Sequence, residues 1–466
     1  MARTITVNPV TRIEGHAHVE IELDDNDQIK QSVFKVMDFR GWETFTRGTQ
    51  VEMMPLIMPR ICGTCSVSHH LAAVKAVDNL FGVTPPPAAK LLRQAMNLAG
   101  YIHSHGIHIF ALAGPDLLLG LDAEPAKRNI IGLTDQHPEI ATKALQLRKI
   151  STEIIETLGG RGIHPVAAVA GGVASPLSKS KRDALRIRAE EGITLAKYLL
   201  EQFKQQVFSQ TELLHSLELP TAYLSLVNQG ALDFYEGQLR LRTQDKSVDF
   251  PEYQWSEKLF EKVDPHSYAK LVFCKINNDS YRVGPLARLN CCDHIDPPQA
   301  NAELQAFRQT YGNPCHQTVL YHYTRFIELF YATEKLVELF SNDEICSPEV
   351  RTQPTGHFQE GQQGTGIIEA PRGTLIHHYT IDKNGIVTDV NLVVATQQNI
   401  KAINDTISQS VKKYLDQSDD NLLLNGIEFG IRCYDPCLSC ATHRIGEMKL
   451  DVVIRQQGEV IRTAKR

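Results

Sequence analysis

The spacing of hydrophobic and polar positions changes along the chain, and each spacing predicts a different kind of element. Near the start, Val19, Ile21 and Leu23 alternate with polar residues, and a second apolar run extends from Ile29 to Met37. A period of two is typical of strands with one buried face. We therefore expect a β-hairpin near the N-terminus.

After Ser66 the apolar positions follow the period of an α-helix, until a run of prolines at 85–87 ends the pattern. Further helical patterns extend over Ala88–Ala113, Glu139–Leu158, Ser178–Leu217 and, with a break near Asn313 and Pro314, Ala300–Phe340. Their length and number predict a bundle of long helices as the body of the protein.

Two later segments predict β-structure. Residues 234–281 show no sustained helical period, which favours a small irregular or β insertion. Lys383, Asn384 and Gly385 separate two apolar runs, and Asn-Gly in that position is a strong hairpin signal. We therefore predict an α+β fold, in which a mainly helical body carries small antiparallel sheets near the N-terminus and in the C-terminal third. Without repeats or low-complexity linkers, this fold is expected to be one domain.

Composition narrows the functional class. Hydrophobic residues make up 42% of the chain and charged residues 22%, which is typical of a globular protein. The net charge of -6 and the scattered basic residues argue against nucleic acid as a partner. No apolar run predicts a transmembrane segment and no signal segment is evident, so we expect a cytoplasmic protein. In that compartment the ten cysteines should stay thiols, which favours metal binding or catalysis over disulfides.

Two Cys-x-x-Cys pairs carry the main chemical signal: Cys62 and Cys65 near the start, and Cys437 and Cys440 near the end. Thiolates select zinc, nickel, copper or iron over magnesium and calcium. A structural zinc is the simplest alternative, but the halves of a zinc ribbon lie about 15 to 20 residues apart. Here the pairs lie at opposite ends of the chain, and Arg60, His69, Asp435 and His443 flank them. A closed structural zinc does not need such neighbours, whereas a tuned metal centre does.

Four more motifs occur in order with the cysteine pairs: Arg12-Ile-Glu14-Gly-His16, Phe39-Arg-Gly-Trp-Glu43, Gly284-Pro-Leu-Ala-Arg288 and Glu369-Ala-Pro-Arg372-Gly373. Together these motifs resemble the large, catalytic subunits of nickel-iron hydrogenases. The short chain and the sequence Asp-Pro-Cys-Leu-Ser-Cys-Ala-Thr-His are most similar to the cytoplasmic, bidirectional, NAD-linked branch typified by cyanobacterial enzymes. Coenzyme F420-linked and other methanogen-type members are similar too.

The resemblance implies reversible cleavage of H2 into protons and electrons at a nickel-iron centre. It implies that all four cysteines bind nickel, and that Cys65 and Cys440 also bridge to an iron with cyanide and carbon monoxide ligands. Cys62 and Cys437 are then terminal nickel ligands. Splitting H2 heterolytically requires a Lewis acid and a nearby base, and a terminal thiolate can be that base.

Residues around the cysteines also receive roles from the resemblance. Glu14 corresponds to a glutamate that takes the proton from Cys437, and Arg372 to an arginine that lies over the diatomic ligands. His69 is expected to donate to a bridging sulfur. Thr396 corresponds to a hydroxyl that binds a cyanide, although Ala395 stands where many relatives have proline. Taken alone, Glu14 and Arg372 could equally be surface charges.

A separate magnesium-like ion is implied near the C-terminus. Its ligands would be the side chains of Glu43 and His443 and the backbone carbonyl of Leu392, and oxygen ligands with retained waters suit magnesium. The alternative is a surface charge at Glu43 and a spectator at His443. His103, His105 and His108 could suggest another metal cluster, but we interpret them as packed or hydrogen-bonded core residues.

The remaining cysteines lack the spacing of an iron-sulfur site, so this chain needs a partner to carry electrons away. The resemblance implies that this partner is an iron-sulfur small subunit. In the NAD-linked branch it implies diaphorase subunits that carry the electrons further. It also implies that residues 1–443 form the mature domain, and that a nickel-dependent endopeptidase removes residues 444–466 as a propeptide. Alternation at Met448, Leu450, Val452 and Ile454 predicts a strand in that tail, and a permanent C-terminal hairpin is the alternative.

Three rival functions fit part of this pattern. A non-catalytic scaffold related to the quinone-site subunit of respiratory complex I shares the ancestry but lacks the four cysteines. A structural zinc protein would keep the cysteines without nickel or iron. A regulatory H2 sensor keeps the whole site, but sensors usually lack a cleavable tail.

Overall fold

Long helices form the body of the protein. The computed structural model describes residues 3–38, 40–276, 279–354, 357–416, 419–441, 451–456 and 459–465. Within them lie eight helices of 14 residues or more: α1 Ser66–Phe81, α2 Pro87–Ile107, α3 Pro138–Gly159, α4 Lys179–Gln206, α5 Pro298–Tyr311, α6 Tyr321–Ser341, α7 Ala395–Tyr414 and α8 Asp420–Cys433. The predicted helical body is confirmed.

Two predicted helices end earlier than their hydrophobic pattern suggested. The helix expected over Ala88–Ala113 is α-helical to Ile107 and continues as a single π-helical turn, His108–Leu112. The helix expected over Ser178–Leu217 ends at Gln206, and only the short helix Thr211–Leu214 follows. In both cases the apolar side chains that follow the helix are still buried. The hydrophobic pattern therefore continues past the last helical hydrogen bond, and the predicted helix was too long.

The N-terminal sheet has three antiparallel strands, Arg3–Val7, Ala17–Leu23 and Ile29–Val36, in that order. Val19, Ile21 and Leu23 are fully buried, as their alternation predicts. The loop between the first two strands carries Glu14, and the sheet places this loop beside the C-terminal cysteine segment.

The insertion predicted within residues 234–281 contributes to a small mixed sheet. Ala222–Asn228 is its central strand and pairs with Gln238–Arg242, Ala231–Leu232 and, in parallel, Tyr281–Arg282, while Ser247–Phe250 extends the edge. A separate hairpin pairs Leu259–Lys262 with Leu271–Cys274. The β interpretation of this region is therefore confirmed.

The sheet formed by Gln362–Ala370, Gly373–Ile381 and Val387–Val393 is antiparallel, and we call it the 362–393 sheet. The strand Gln362–Ala370 packs directly on α1. Close approach is possible because Gly364 and Gly366 face the helix: a Cβ at Gly366 would lie 2.1 Å from the carbonyl oxygen of Ala72. This contact fixes the start of α1, where Cys65 lies, against the sheet.

Short elements connect these parts. They are Trp42–Phe45, Val51–Met53, Met54–Ile57, Met58–Ile61, Gly114–Leu119, Ile130–Gln136, Trp255–Lys258, Glu252–Gln254, Pro285–Cys291, Thr318–Leu320, Asp343–Cys346 and Leu438–Ala441, with the strand pairs Ala168–Val169 and Gly172–Val173, and Asp451–Gln456 and Glu459–Lys465. The first strand of the last pair contains Val452 and Ile454, where a strand was predicted, whereas Met448 and Leu450 lie outside the described residues. One large hydrophobic core extends from Val7 to Ala441. None of the helices in the described ranges is both long and apolar enough to cross a membrane.

Candidate metal centre

Four cysteine sulfurs from the two ends of the chain meet at one point. Cys62 follows the 3-10 turn Met58–Ile61, and Cys65 immediately precedes α1. Cys437 and Cys440 come from the segment just after α8. All four Sγ atoms lie within 4.8 Å of one another, with separations of 3.4 Å for Cys437–Cys62, 3.3 Å for Cys65–Cys440 and 2.9 Å for Cys437–Cys440.

The cluster suits cations because it is both crowded and dry. Each of the four residues is at most 8% exposed. Burial raises the pKa of the Cys437 and Cys440 thiols, whereas hydrogen bonds from its neighbours lower the pKa of Cys62. Four thiolates cannot ionise together at this distance without positive charge between them. Nickel and iron ions supply that positive charge, and both bind soft sulfur donors.

Glu14 lies against this cluster. Its Oε2 atom is 3.1 Å from Cys437 Sγ and accepts a hydrogen bond of 3.0 Å from the backbone N–H of Ser439, while the Ser439 hydroxyl donates to Oε1. The backbone of Glu14 also accepts from Leu438 N–H at 3.0 Å. These hydrogen bonds hold the N-terminal loop against the cysteine segment and direct Glu14 Oε2 at Cys437 Sγ.

Arg372 lies in the wall of the same site, 4% exposed. Its guanidinium donates to the carbonyl of Asp435 at 2.6 Å and to the Asp435 carboxylate at 3.1 Å. Burial opposes the charge of Arg372, but Asp435 and the nearby thiols raise the pKa of Arg372 well above its usual value. Burial would equally raise the pKa of Asp435, yet Arg372 holds it well below its usual range. The site thus keeps a permanent buried cation.

His69 and Thr396 also reach the cysteines. His69 Nε2 is 3.2 Å from Cys440 Sγ, and Cys437 N–H donates to the Thr396 hydroxyl at 2.8 Å. A small pocket opens between these groups, and its walls are Cys65, His69, Ala370, Arg372, Leu375, Val394, Ala395, Thr396, Cys437 and Cys440. The polar groups lie beside the sulfurs, and the rest of the lining is mostly aliphatic.

Two of the three residues expected to bind a second ion, Glu43 and Leu392, lie together at the 362–393 sheet. Glu43 is only 2% exposed and accepts a hydrogen bond of 2.9 Å from the backbone N–H of Leu392, so the two lie together. The ammonium of Lys270 is 3.9 Å from the Glu43 carboxylate. The surface-charge alternative for Glu43 is wrong, because its side chain is buried. His443 lies outside the described residues.

The helix histidines are buried in the core. His105 is hydrogen-bonded to Glu328 at 2.8 Å, and His108 lies 3.0 Å from Asp435 and stacks on His322. Burial lowers the pKa of His103 and of His108 to about 4, so both rings are neutral at pH 7. In the described ranges these histidines belong to no group with metal-ligand geometry.

Sequence reasoning assigned no role to three contributors to the site. Asp435 holds Arg372, Ser439 holds Glu14, and His377 lies behind His69 at 3.0 Å. Asp435 lies two residues before Cys437 and Ser439 lies between Cys437 and Cys440, so their position was a usable signal. His377 offered none, because only the pairing of a strand with α1 brings it to His69.

The fold and this site define a metalloenzyme whose buried centre is bound by thiolates. Residues 40–131 and 225–443 match the family described as nickel-dependent hydrogenase, and residues 4–39 match one described as HoxL-like. The chain therefore belongs to the nickel-dependent hydrogenases, as a large subunit of the nickel-iron type, and it is an oxidoreductase. The predicted family and enzyme class are confirmed, and the zinc and scaffold alternatives are not supported.

Relatives of known function match almost the whole chain. One of them, from the F420-non-reducing hydrogenase vhc of Methanococcus voltae, is 38% identical over 98% of this chain and 99% of its own. The beta subunit of the NAD-reducing hydrogenase HoxS of Cupriavidus necator is 35% identical over 97% of each chain. A crystal structure of an NAD+-reducing [NiFe]-hydrogenase in the H2-reduced state superposes with a TM-score of 0.89 at 37% identity, covering 95% of this chain and 99% of that one.

Proposed function

We propose that this hydrogenase subunit splits H2 reversibly and passes the electrons through an iron-sulfur small subunit, then through diaphorase subunits, to NAD(P). The observation that carries the chemistry is the convergence of four buried cysteine sulfurs with Glu14 at one of them. The similarity to an NAD+-reducing enzyme in both sequence and fold supports the acceptor. The cytoplasmic location expected from the sequence belongs to the same proposal.

A second type of hydrogenase complex is supported by a separate observation. The methanogen relatives are F420-non-reducing hydrogenase subunits, and their identity of 38% is as high as that of the NAD-reducing relatives. A methanogen-type complex without diaphorase is therefore the second candidate. In both candidates the partner subunits determine the acceptor.

In the proposed centre, Cys62, Cys65, Cys437 and Cys440 would bind nickel, and Cys65 and Cys440 would also bind an iron with cyanide and carbon monoxide ligands. When bound, the two metals would supply heterolytic cleavage of H2, which yields two protons and two electrons overall. The Cys437 sulfur holds a proton, and Glu14 accepts it across 3.1 Å. The mostly aliphatic pocket excludes water, which strengthens the charge of Arg372 on any ligand beside it.

Arg372 and Thr396 are proposed to bind the cyanide and carbon monoxide ligands of the iron. Support comes from their position, since both line the pocket beside Cys65 and Cys440. Arg372 also donates weakly to the Thr64 hydroxyl, at 3.4 Å. A guanidinium that cannot lose its proton is suited to stabilise anionic ligands.

A magnesium ion is proposed between Glu43, the carbonyl of Leu392 and His443. The buried carboxylate of Glu43 beside the Leu392 backbone supports two of these ligands. Magnesium keeps several waters, which suits a site with few protein ligands.

Residues 444–466 are proposed to be a propeptide that a nickel-dependent endopeptidase removes after His443. The family match ends at residue 443, which supports the boundary. The mature domain is then residues 1–443.

The proposed function is tested on the complex purified under anaerobic conditions with its native partners. We expect nickel and iron in the large subunit and H2-dependent reduction of NAD+. Zinc without nickel would contradict the metal assignment. H2-dependent reduction of a viologen dye without any reduction of NAD+ would retain the hydrogenase and reject the acceptor.

A further inference from the structure

A chain of three buried side chains extends away from one sulfur of the centre. His69 Nε2 is 3.2 Å from Cys440 Sγ, His69 Nδ1 is 3.0 Å from His377 Nε2, and His377 Nδ1 is 2.6 Å from the Tyr379 hydroxyl. His377 and Tyr379 are two residues apart on one strand, so both side chains point to the same face of the 362–393 sheet. That face lies against α1, which carries His69.

A thiolate at one end and a neutral His69 ring together fix the direction of every hydrogen bond in the chain we describe. A metal-bound Cys440 thiolate can only accept, so His69 Nε2 must carry a proton. In a neutral imidazole the other nitrogen is then an acceptor, which requires His377 Nε2 to donate. By the same reasoning His377 Nδ1 accepts, and the Tyr379 hydroxyl must donate.

Burial supports a neutral His377 ring and a protonated Tyr379 phenol. His377 and Tyr379 are fully buried and His69 is 2% exposed. Burial and the adjacent His69 lower the pKa of His377 well below its usual value, and burial raises the pKa of Tyr379 well above its own. The His69 ring lies between His377 and Cys440, with Nδ1 at His377 and Nε2 at the Cys440 sulfur.

We propose that Tyr379, His377 and His69 form a one-way chain of hydrogen-bond donors that ends on the Cys440 sulfur, and that Tyr379 and His377 act as positioning residues by locking the tautomer of His69. This inference rests on the proposed ligand role of Cys440. The chain makes two sulfurs of the centre unlike each other: Cys437 faces the acceptor Glu14, and Cys440 faces a fixed donor. A donor withdraws charge from its sulfur, so the proton is directed to Cys437.

The donor chain also affects the reduction potential of the metal centre. Hydrogen bonds to ligand sulfurs stabilise the reduced form of a metal centre and raise its reduction potential. Linked hydrogen bonds polarise one another, so the Tyr379 hydroxyl contributes to the bond on Cys440 from a distance. Loss of that hydroxyl should therefore shift the potential of the centre to more negative values.

The direct test is neutron diffraction of the wild-type complex in a reduced state. We expect hydrogen or deuterium on His69 Nε2, His377 Nε2 and the Tyr379 oxygen, with the last directed at His377 Nδ1. A proton on His377 Nδ1 would overturn the proposal. This measurement needs no variant, and it is separate from the cysteine replacements that test the ligand set, so the two can fail independently.

The functional test is a redox titration of the metal centre, followed spectroscopically, in Tyr379→Phe. We expect a more negative potential at unchanged nickel content. Tyr331→Phe is the matched control, because it also removes a buried tyrosine hydroxyl. The Tyr331 hydroxyl donates to the Leu232 carbonyl at 3.3 Å and takes no part in the chain. Equal potentials in wild type and Tyr379→Phe would overturn the proposal.

A conservative replacement separates hydrogen bonding from packing at the middle position. His377→Gln keeps both a donor and an acceptor, whereas His377→Leu keeps neither. We expect the shift in potential to be larger for leucine than for glutamine. Equal shifts in the two variants would reduce His377 to a packing role and overturn the chain.

Discussion

At the scale of single residues, the four sulfurs act as one unit because each lies within 4.8 Å of the others. We expect Cys62→Ser, Cys65→Ser, Cys437→Ser and Cys440→Ser each to lose most of the bound nickel and all H2-dependent dye reduction, since a serine hydroxyl is a hard, weakly acidic ligand. Metal analysis and dye assays measure both losses. Cys433→Ser is the control, because Cys433 is buried at the end of α8, just before that segment, and its thiol donates to the Phe429 carbonyl. Full nickel and activity in any of the four variants would disprove its ligand role.

Glu14 supports a second prediction at this scale. Glu14→Gln keeps an oxygen near Ser439 and Cys437 but cannot take up a proton at neutral pH. We expect H2/D2 exchange with solvent to slow by about 100-fold or more, the range of lost general-base catalysis, while nickel and iron stay in place. Glu20→Gln, on the neighbouring strand and paired with Lys35, should exchange at the wild-type rate. Normal exchange in fully metallated Glu14→Gln would remove Glu14 from the proton path.

At the scale of elements, the contact between α1 and the strand Gln362–Ala370 positions Cys65 and His69. In Gly366→Ala the new Cβ would meet backbone atoms of α1, the carbonyl oxygen of Ala72 at 2.1 Å and the N–H of Ala76 at 2.5 Å. Backbone cannot move aside like a side chain, so we expect a loss of about 1 to 3 kcal/mol in stability and reduced nickel loading. Calorimetry and metal analysis measure the two effects.

The control at this scale is Gly106→Ala, which lies in α2 with open space around the added Cβ. Alanine favours helix, so its melting temperature should equal or exceed that of the wild type. If Gly366→Ala melted at the wild-type temperature with full nickel, the close approach would not control the position of α1.

At the scale of the whole molecule, the tail lies directly after the segment that carries Cys437 and Cys440. While residues 444–466 are attached, His443 has a peptide bond in place of a terminal carboxylate. The four cysteine sulfurs already lie together in the chain that carries this tail, so the proposed cleavage would act on His443 and let it reach the ion proposed at Glu43. We expect the intact mass of the large subunit in active enzyme to correspond to a chain that ends at His443. A chain ending at Arg466 with full nickel, iron and activity would reject the propeptide.

Strands and turns could be predicted from the sequence, because both depend on residues that are close together in the chain. The alternation of Val19, Ile21 and Leu23 and the Asn384-Gly385 turn predicted strands that the structure contains, since side-chain period and turn geometry involve near neighbours. The helix ends were less accessible. Burial continues past Ile107, so the pattern of apolar residues did not show where the α-helical hydrogen bonds stop.

The sequence by itself determined the family and the donor chemistry, because soft thiolates at Cys62, Cys65, Cys437 and Cys440 restrict the metal whatever the fold. The resemblance predicted that Glu14 and His69 face the sulfurs, but only the tertiary structure brings these groups together and adds His377 behind His69. Glu14 meets Cys437 through pairing of two distant segments, and His377 meets His69 through packing of the 362–393 sheet on α1. Such contacts join residues hundreds of positions apart, and their geometry depends on the whole packed core rather than on any local pattern.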